Sequence, residues 1–203
     1  MDIRVERLAH LLVDYSVDVQ PGERVLIRST SLAAPLIRSV YEQVLKHGGH
    51  PMVHISLPGL EEIFYKTADE TQLTFVDPVE EQFYEEFDVL IAIRAPSNTR
   101  ALSNVDPEKQ RIRGRARHHL MERYMQRSAE GELKWTGTLF PTFASAQEAD
   151  MSLRRYEDFV YGTCYCDRED PVSEWLRIHE EQQRIIDWLE GREHVEVRGP
   201  NAD

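Results

Sequence analysis

The chain has 203 residues, 36 acidic against 24 basic, and a formal net charge of −12. That length suits one large α/β domain and is short for two. The acidic balance runs against nucleic-acid binding, which draws most of its affinity from basic contacts to phosphate, and there is no apolar run of about 18 residues to predict a membrane span.

Helix and strand signals alternate along the chain. The first helix is predicted from about Ile3 to Tyr15, with Ile3, Leu8, Leu11, Leu12 and Tyr15 on its apolar face. Charges interrupt its apolar positions, so it reads as an amphipathic helix and not a signal peptide. Gln20-Pro21-Gly22 is a turn. Val25-Leu26-Ile27 is a continuous apolar run, the pattern of a strand covered on both faces. A helix follows from about Ala33 to His47, stopped by Gly48-Gly49, and Pro51 to Leu57 is the second strand. Two short helices are predicted around Glu61 to Phe87, the second opened by Asp77-Pro78, an acidic cap before a proline suited to the first helical position. Val89 to Ile93 is the third strand. Asp106-Pro107 opens a long basic helix to about Ser128, and Lys134 to Leu139 is the fourth strand. A turn and polar loop lead to Ser152, which caps a helix through Phe159. Asp170-Pro171 opens a helix to Leu189 with the stripe Trp175, Ile178, Gln182, Ile185 and Leu189. His194 to Val197 has the character of a last strand. Apolar strands separated by amphipathic helices predict βαβ units: a three-layer, Rossmann-like α/β domain with a mostly parallel sheet flanked by helices.

Candidate chemistry is sparse. Metal hydrolysis needs carboxylates and imidazoles converging within a few ångströms. His118 and His119 are adjacent and diverge on a helix. His50 and His54 share a strand face but stand roughly 13 Å apart. His179-Glu180-Glu181-Gln182-Gln183 has Gln183 where the zinc motif H-E-x-x-H needs its second histidine, so it reads as a solvated helix face. Cys164 and Cys166 are the two cysteines. They lack the two further soft ligands of a zinc site and read as packed free thiols in a reducing cytoplasm. Glu157 and Asp158 diverge by about 100° on a helix and cannot act as one acid/base couple. There is no phosphate-binding glycine loop and no nucleophile elbow. Strand C-termini and helix N-termini are where open α/β sheets bind anions. Ser29, Thr30 and Ser31 follow the first strand there, and Arg94 and Arg100 flank a polar loop after the third. These five form the candidate anion or substrate edge.

Three segments carry a family resemblance: PGERVLIRST, then DPEKQRIRGRARHHLMERYMQRSAEGELKWTGTLFPT, then AQEADMSLRRYEDFVY. With them the chain resembles the thermophilic metalloaminopeptidases, the group of aminopeptidases T and S, over nearly its whole length. The resemblance implies an exopeptidase that releases N-terminal amino acids from peptides with water activated by two divalent ions, zinc, cobalt or magnesium. It implies metal ligands in a C-terminal catalytic domain, a homodimer for the full enzyme, and an N-terminal domain that shapes the substrate cavity. Residues 1–198 are expected to be that N-terminal domain, with 199–203 starting the linker to a missing catalytic domain. No catalytic residue, bound metal or other cofactor is expected on this chain, which is expected to be cytoplasmic, without nucleic-acid or membrane partners, inactive alone and prone to self-association through uncovered apolar surface. Phe143 stands where the family often has proline. The competing expectation is a stand-alone module that binds a small anion at the Ser29–Ser31 and Arg94–Arg100 edge.

Overall fold

A computed structural model describes residues 2–200; the expected linker residues 201–203 lie outside the described part. In chain order the helices and strands are α1 (Ile3–His10), β1 (Arg24–Thr30), α2 (Ala34–Lys46), β2 (His50–Ser56), α3 (Leu60–Thr67), α4 (Glu70–Thr74), α5 (Pro78–Glu85) and β3 (Val89–Arg94). There follow α6 (Pro107–Ala116), α7 (His118–Ala129), β4 (Lys134–Leu139), α8 (Phe143–Glu148), α9 (Leu153–Thr163) and α10 (Pro171–Leu189). The strands form one parallel sheet in the order β2-β1-β3-β4.

The sheet is covered on both faces because its central strands are apolar at successive positions. Val25 and Ile27 of β1, with Val89, Ile91 and Ile93 of β3, pack against α1, α2 and α9 in the larger core. Leu26 and Leu90 point the other way, to a smaller core with Phe83 and Tyr84 of α5 and Leu120 of α7. Helices on each face of a parallel sheet make the expected three-layer architecture.

Helix ends follow the chemistry of their caps. The Asp77, Asp106 and Asp170 carboxylates accept from Val79, Glu108 and Ser173 N–H, each ahead of a proline in the first turn. Ser152 accepts from Arg155 N–H in the same way. After α2, Gly48 takes φ +76, in the left-handed region, and donates to the Leu45 carbonyl at 3.0 Å. At Gly49 a Cβ would stand 2.9 Å from both Val19 Cγ1 and Val44 Cγ1, so no side chain fits. α1 runs on into a π-helical turn, Leu11–Ser16, in which Val17 N–H reaches the Leu12 carbonyl at 3.2 Å.

The structure departs from the sequence expectation in four places. The long basic helix is two helices, with Arg117 (φ −97, ψ 6) between them. α6 lies against α4 and is tied to the end of α3 by Lys109 Nζ, which donates to the Tyr65 and Ala68 carbonyls at 2.9 Å, whereas α7 packs on α5. One straight rod cannot follow both surfaces, and Gly114 weakens the helix just before the break. Between β2 and β3 there are three helices where two were expected. The extra one, α4, is set by a reciprocal capping box between Asp69 and Gln72. The polar loop after β4 contains α8, capped by Thr142 at Ser145 N–H. Phe143 is its first residue, a position where proline is equally at home. Last, His194–Val197 joins no ladder among the described residues; Val195 and Val197 are exposed, with no neighbouring strand to pair with.

Candidate functional site

The sheet order fixes where a ligand site is expected. The chain leaves β1 on one side for β2 and returns on the other for β3, so the switch point lies at the C-terminal ends of β1 and β3. At that junction Ser29 is buried and its hydroxyl donates to the Ile93 carbonyl at 2.9 Å. The Thr30 hydroxyl donates to the Ala95 carbonyl at 2.7 Å. Both hydroxyls are thus engaged in joining the strand ends. Ser31 is exposed and opens a single 3-10 turn to Ala33. Arg94 is exposed at the end of β3. Arg100 grips Glu148 of α8 with two hydrogen bonds, 3.0 and 3.2 Å, and Thr99 adds a third at 2.8 Å. That pairing holds the Glu148 carboxyl below the usual range, the Arg100 guanidinium first and the Thr99 hydroxyl second. Of the five edge residues, Thr30 lines the neighbouring cavity.

That cavity is a cleft of about 670 Å³ over the C-terminal ends of β1 and β2. Arg28 enters it from β1, on the same face as Leu26 by the two-residue period of the strand. Arg28 is half-buried and donates to the Tyr84 hydroxyl at 2.8 Å. His54 enters from β2 and stands edge-on to Phe83, with ring centroids 5.0 Å apart. Gly59 (φ +86) turns the chain from β2 into α3, which brings Leu60, Glu61, Glu62, Phe64 and Tyr65 to the rim. The far wall is α6 and the break after it. The Arg113 guanidinium lies 5.2 Å from the Phe64 ring centroid and donates to the Phe75 carbonyl; Arg117 pairs with Glu80.

Electrostatically the cleft is mixed. Burial pushes the Tyr65 hydroxyl up, the Glu61 carboxylate adds to the shift, and Arg113 and Arg117 oppose it. Glu62 is paired with Lys66 along α3. Two nitrogens of the wall, His54 Nδ1 and Arg117 Nε, are buried without a hydrogen-bond partner among the described residues. Arg28, His54, Arg113 and Arg117 lie outside the anion edge expected from the sequence. The signal for Arg28 is a cation directly after the apolar run Val25-Leu26-Ile27, and for Arg113 and Arg117 a spacing of one helical turn.

His118 lies near Glu122, and His119 near Glu81. Glu157 and Asp158 both face Arg4 of α1, which donates to Asp158 at 2.7 Å. His179 sits on the exposed face of α10. Burial pushes the Cys166 thiol up to about 12 and also raises Cys164. His10 and His47 bracket Asp14 on its two different oxygens, with His47 Nε2 2.8 Å from Oδ1. Among the described residues no group of three or more His, Cys, Asp or Glu side chains is arranged to hold an ion.

Aminopeptidase 2 of Geobacillus stearothermophilus is 22% identical over 204 residues, covering 95% of this chain and 49% of that protein. The solved structure of wild-type AmpT from Thermus thermophilus is similar with a TM-score of 0.74 at 18% identity, over 93% of this chain and 49% of that one. The structural likeness establishes the shared α/β fold. The chain spans about half the length of these relatives. Its whole length, residues 1–203, matches the family described as thermophilic metalloprotease (M29), and the chain belongs to that family.

Proposed function

We propose that this chain is the N-terminal α/β domain of a metal-dependent aminopeptidase, and that it supplies scaffold and substrate contacts while another part of the enzyme supplies the metal centre. Family membership along residues 1–203 carries the reading. It is supported by a relative named as an aminopeptidase, of which this chain spans 49%. Peptides are the substrates on this reading, and residues 1–198 form the domain.

A two-metal hydrolytic centre needs carboxylate and imidazole donors gathered around a bridging water. The described residues gather no such set. They do not fit the pair of ions, so the reading assigns zinc, cobalt or magnesium to the other half of the full-length enzyme and routes no hydrolytic step through this chain. Within the domain, Ser29 and Thr30 fix the strand ends and Arg100 fixes the loop beyond β3, while Ser31 and Arg94 border the substrate's approach. Exposed apolar side chains such as Phe75 and Trp188 support a further packing partner, whether the catalytic half or a second subunit. A cytoplasmic location belongs to the same proposal, supported by two free thiols.

The test is a release assay on the purified chain with a leucine chromogenic substrate and added cobalt, zinc or magnesium. The expected result is no turnover above the blank and no stoichiometric metal retained after gel filtration. Turnover that follows the protein through repeated purification, together with two retained ions per chain, overturns the assignment.

A further inference from the structure

The cleft beside β1 and β2 has a charge balance that selects a ligand. Its lining includes Arg28, Arg113, Arg117, Glu61, Glu62 and Glu80. Arg117 is neutralised by Glu80, and Glu62 by Lys66 from outside the cleft. What remains is Arg28 and Arg113 against Glu61. Arg28 is bound to a neutral hydroxyl and Arg113 to a main-chain carbonyl and the face of Phe64. Neither meets a carboxylate within ion-pair distance among the described residues. A guanidinium in a half-enclosed cleft without a carboxylate is a ready partner for one, and its planar fork matches carboxylate geometry. One surplus positive charge suits a monoanion and disfavours a phosphate dianion or polyphosphate. Beside the arginines the rim is apolar: Ile55, Leu57 and Leu60 are exposed at its mouth. His54 Nδ1 and Arg117 Nε leave hydrogen-bonding capacity in the wall that the protein does not use. A cleft of about 670 Å³ lies within the usual size of a small-molecule site.

We infer that this cleft binds a small monocarboxylate bearing an apolar side chain, with Arg28 and Arg113 on the carboxylate and Ile55, Leu57 and Leu60 on the side chain. Resting on the aminopeptidase reading above, the natural ligand is the C-terminal residue of a short peptide. An enzyme that held its substrate there as well as at the amino end would favour peptides short enough to reach both.

The experiment is a metal-free titration of the full chain with N-acetyl-leucine, its neutral amide N-acetyl-leucinamide, and inorganic phosphate, followed by calorimetry and amide chemical shifts. The acid is expected to saturate, with shifts at Leu60, Tyr65 and Arg113, and the amide to bind at least about tenfold more weakly, as loss of a charged hydrogen-bonding partner predicts. Arg113→Gln is expected to weaken the acid by at least about tenfold. Because Arg113 also supports the Phe75 carbonyl, a melting curve accompanies that variant. Leu60→Ser, at an exposed rim position, tests the apolar end on an intact fold and is expected to weaken the acid several-fold. Equal binding of acid and amide, phosphate binding tighter than the acid, or acid binding unchanged in both variants overturns the assignment. No reading here depends on metal or turnover, so failure of the cleft leaves the family role standing, and failure of the release assay leaves the cleft standing.

Discussion

The two halves of the sheet's C-terminal edge use different polar residues to opposite ends. Between β1 and β3, the Ser29 and Thr30 hydroxyls are short, buried or half-buried, and directed at carbonyls of the neighbouring strand. Over β1 and β2, Arg28 and Arg113 carry long guanidiniums that meet hydroxyl, carbonyl and aromatic partners and line a cleft. Short side chains at a packed strand end are captured by the backbone they lie against. Long ones span a gap and keep donor capacity for something else. A hydroxyl-rich turn at a switch point is therefore weaker grounds for a ligand site than an arginine without a carboxylate.

Several measurements break or sharpen that contrast. The largest effect is expected at the closed half: Ile93→Ala removes a side chain that is 2% exposed, and urea denaturation should show a loss of about 2–5 kcal/mol. The matching truncation at the open half, Leu60→Ala, is expected to fall within about 0.5 kcal/mol of the parent, since that residue is 54% exposed. A similar loss at both positions erases the distinction. Alkaline titration comes next. Tyr161 and Cys166 are buried on the larger core, and burial raises both, Cys166 to about 12. Their unfolded forms lose a proton at lower pH than their folded forms, so the unfolded state binds fewer protons above about pH 9. Stability must then fall as pH rises, by up to about 1.4 kcal/mol per pH unit for each group. The same burial predicts that Cys166 reacts with a thiol reagent near pH 8 on the order of a hundredfold or more slowly in the native than in the unfolded chain. Ser29→Ala should cost about 1 kcal/mol, the worth of one buried hydrogen bond. The smallest effect is at Arg100, whose ion pair with Glu148 is exposed; Arg100→Ala is expected to leave the melting temperature unchanged.

The fold was legible where one physical signal dominated. Val25-Leu26-Ile27 and Val89 to Ile93 are too apolar to be anything but covered strands, and both sit at the centre of the sheet. The three Asp-Pro pairs mark helix starts because acceptor, fixed φ and missing N–H all suit the same two positions. Legibility failed where tertiary surroundings decide. α6 and α7 share one uninterrupted helical pattern, and the break at Arg117 comes from two different surfaces beneath them. His194–Val197 alternates like a strand, but alternation cannot provide a neighbour. The cleft was least legible. Arg28 and Arg113 come from a strand and a helix far apart in the chain, and only the sheet order brings their neighbourhoods together.

The position of β1 in the middle of the sheet also sets the tempo of assembly. β1 meets β2 after one short crossover, but its other flank waits for β3, whose carbonyl at Ile93 lies 64 positions from Ser29. Parallel pairing over such a separation closes a long loop before any reward arrives, which slows the search. Refolding followed by stopped-flow fluorescence should accordingly be slower than for helical bundles of this length. Pulse-labelled amides of α2 and β1 should gain protection before those of β4.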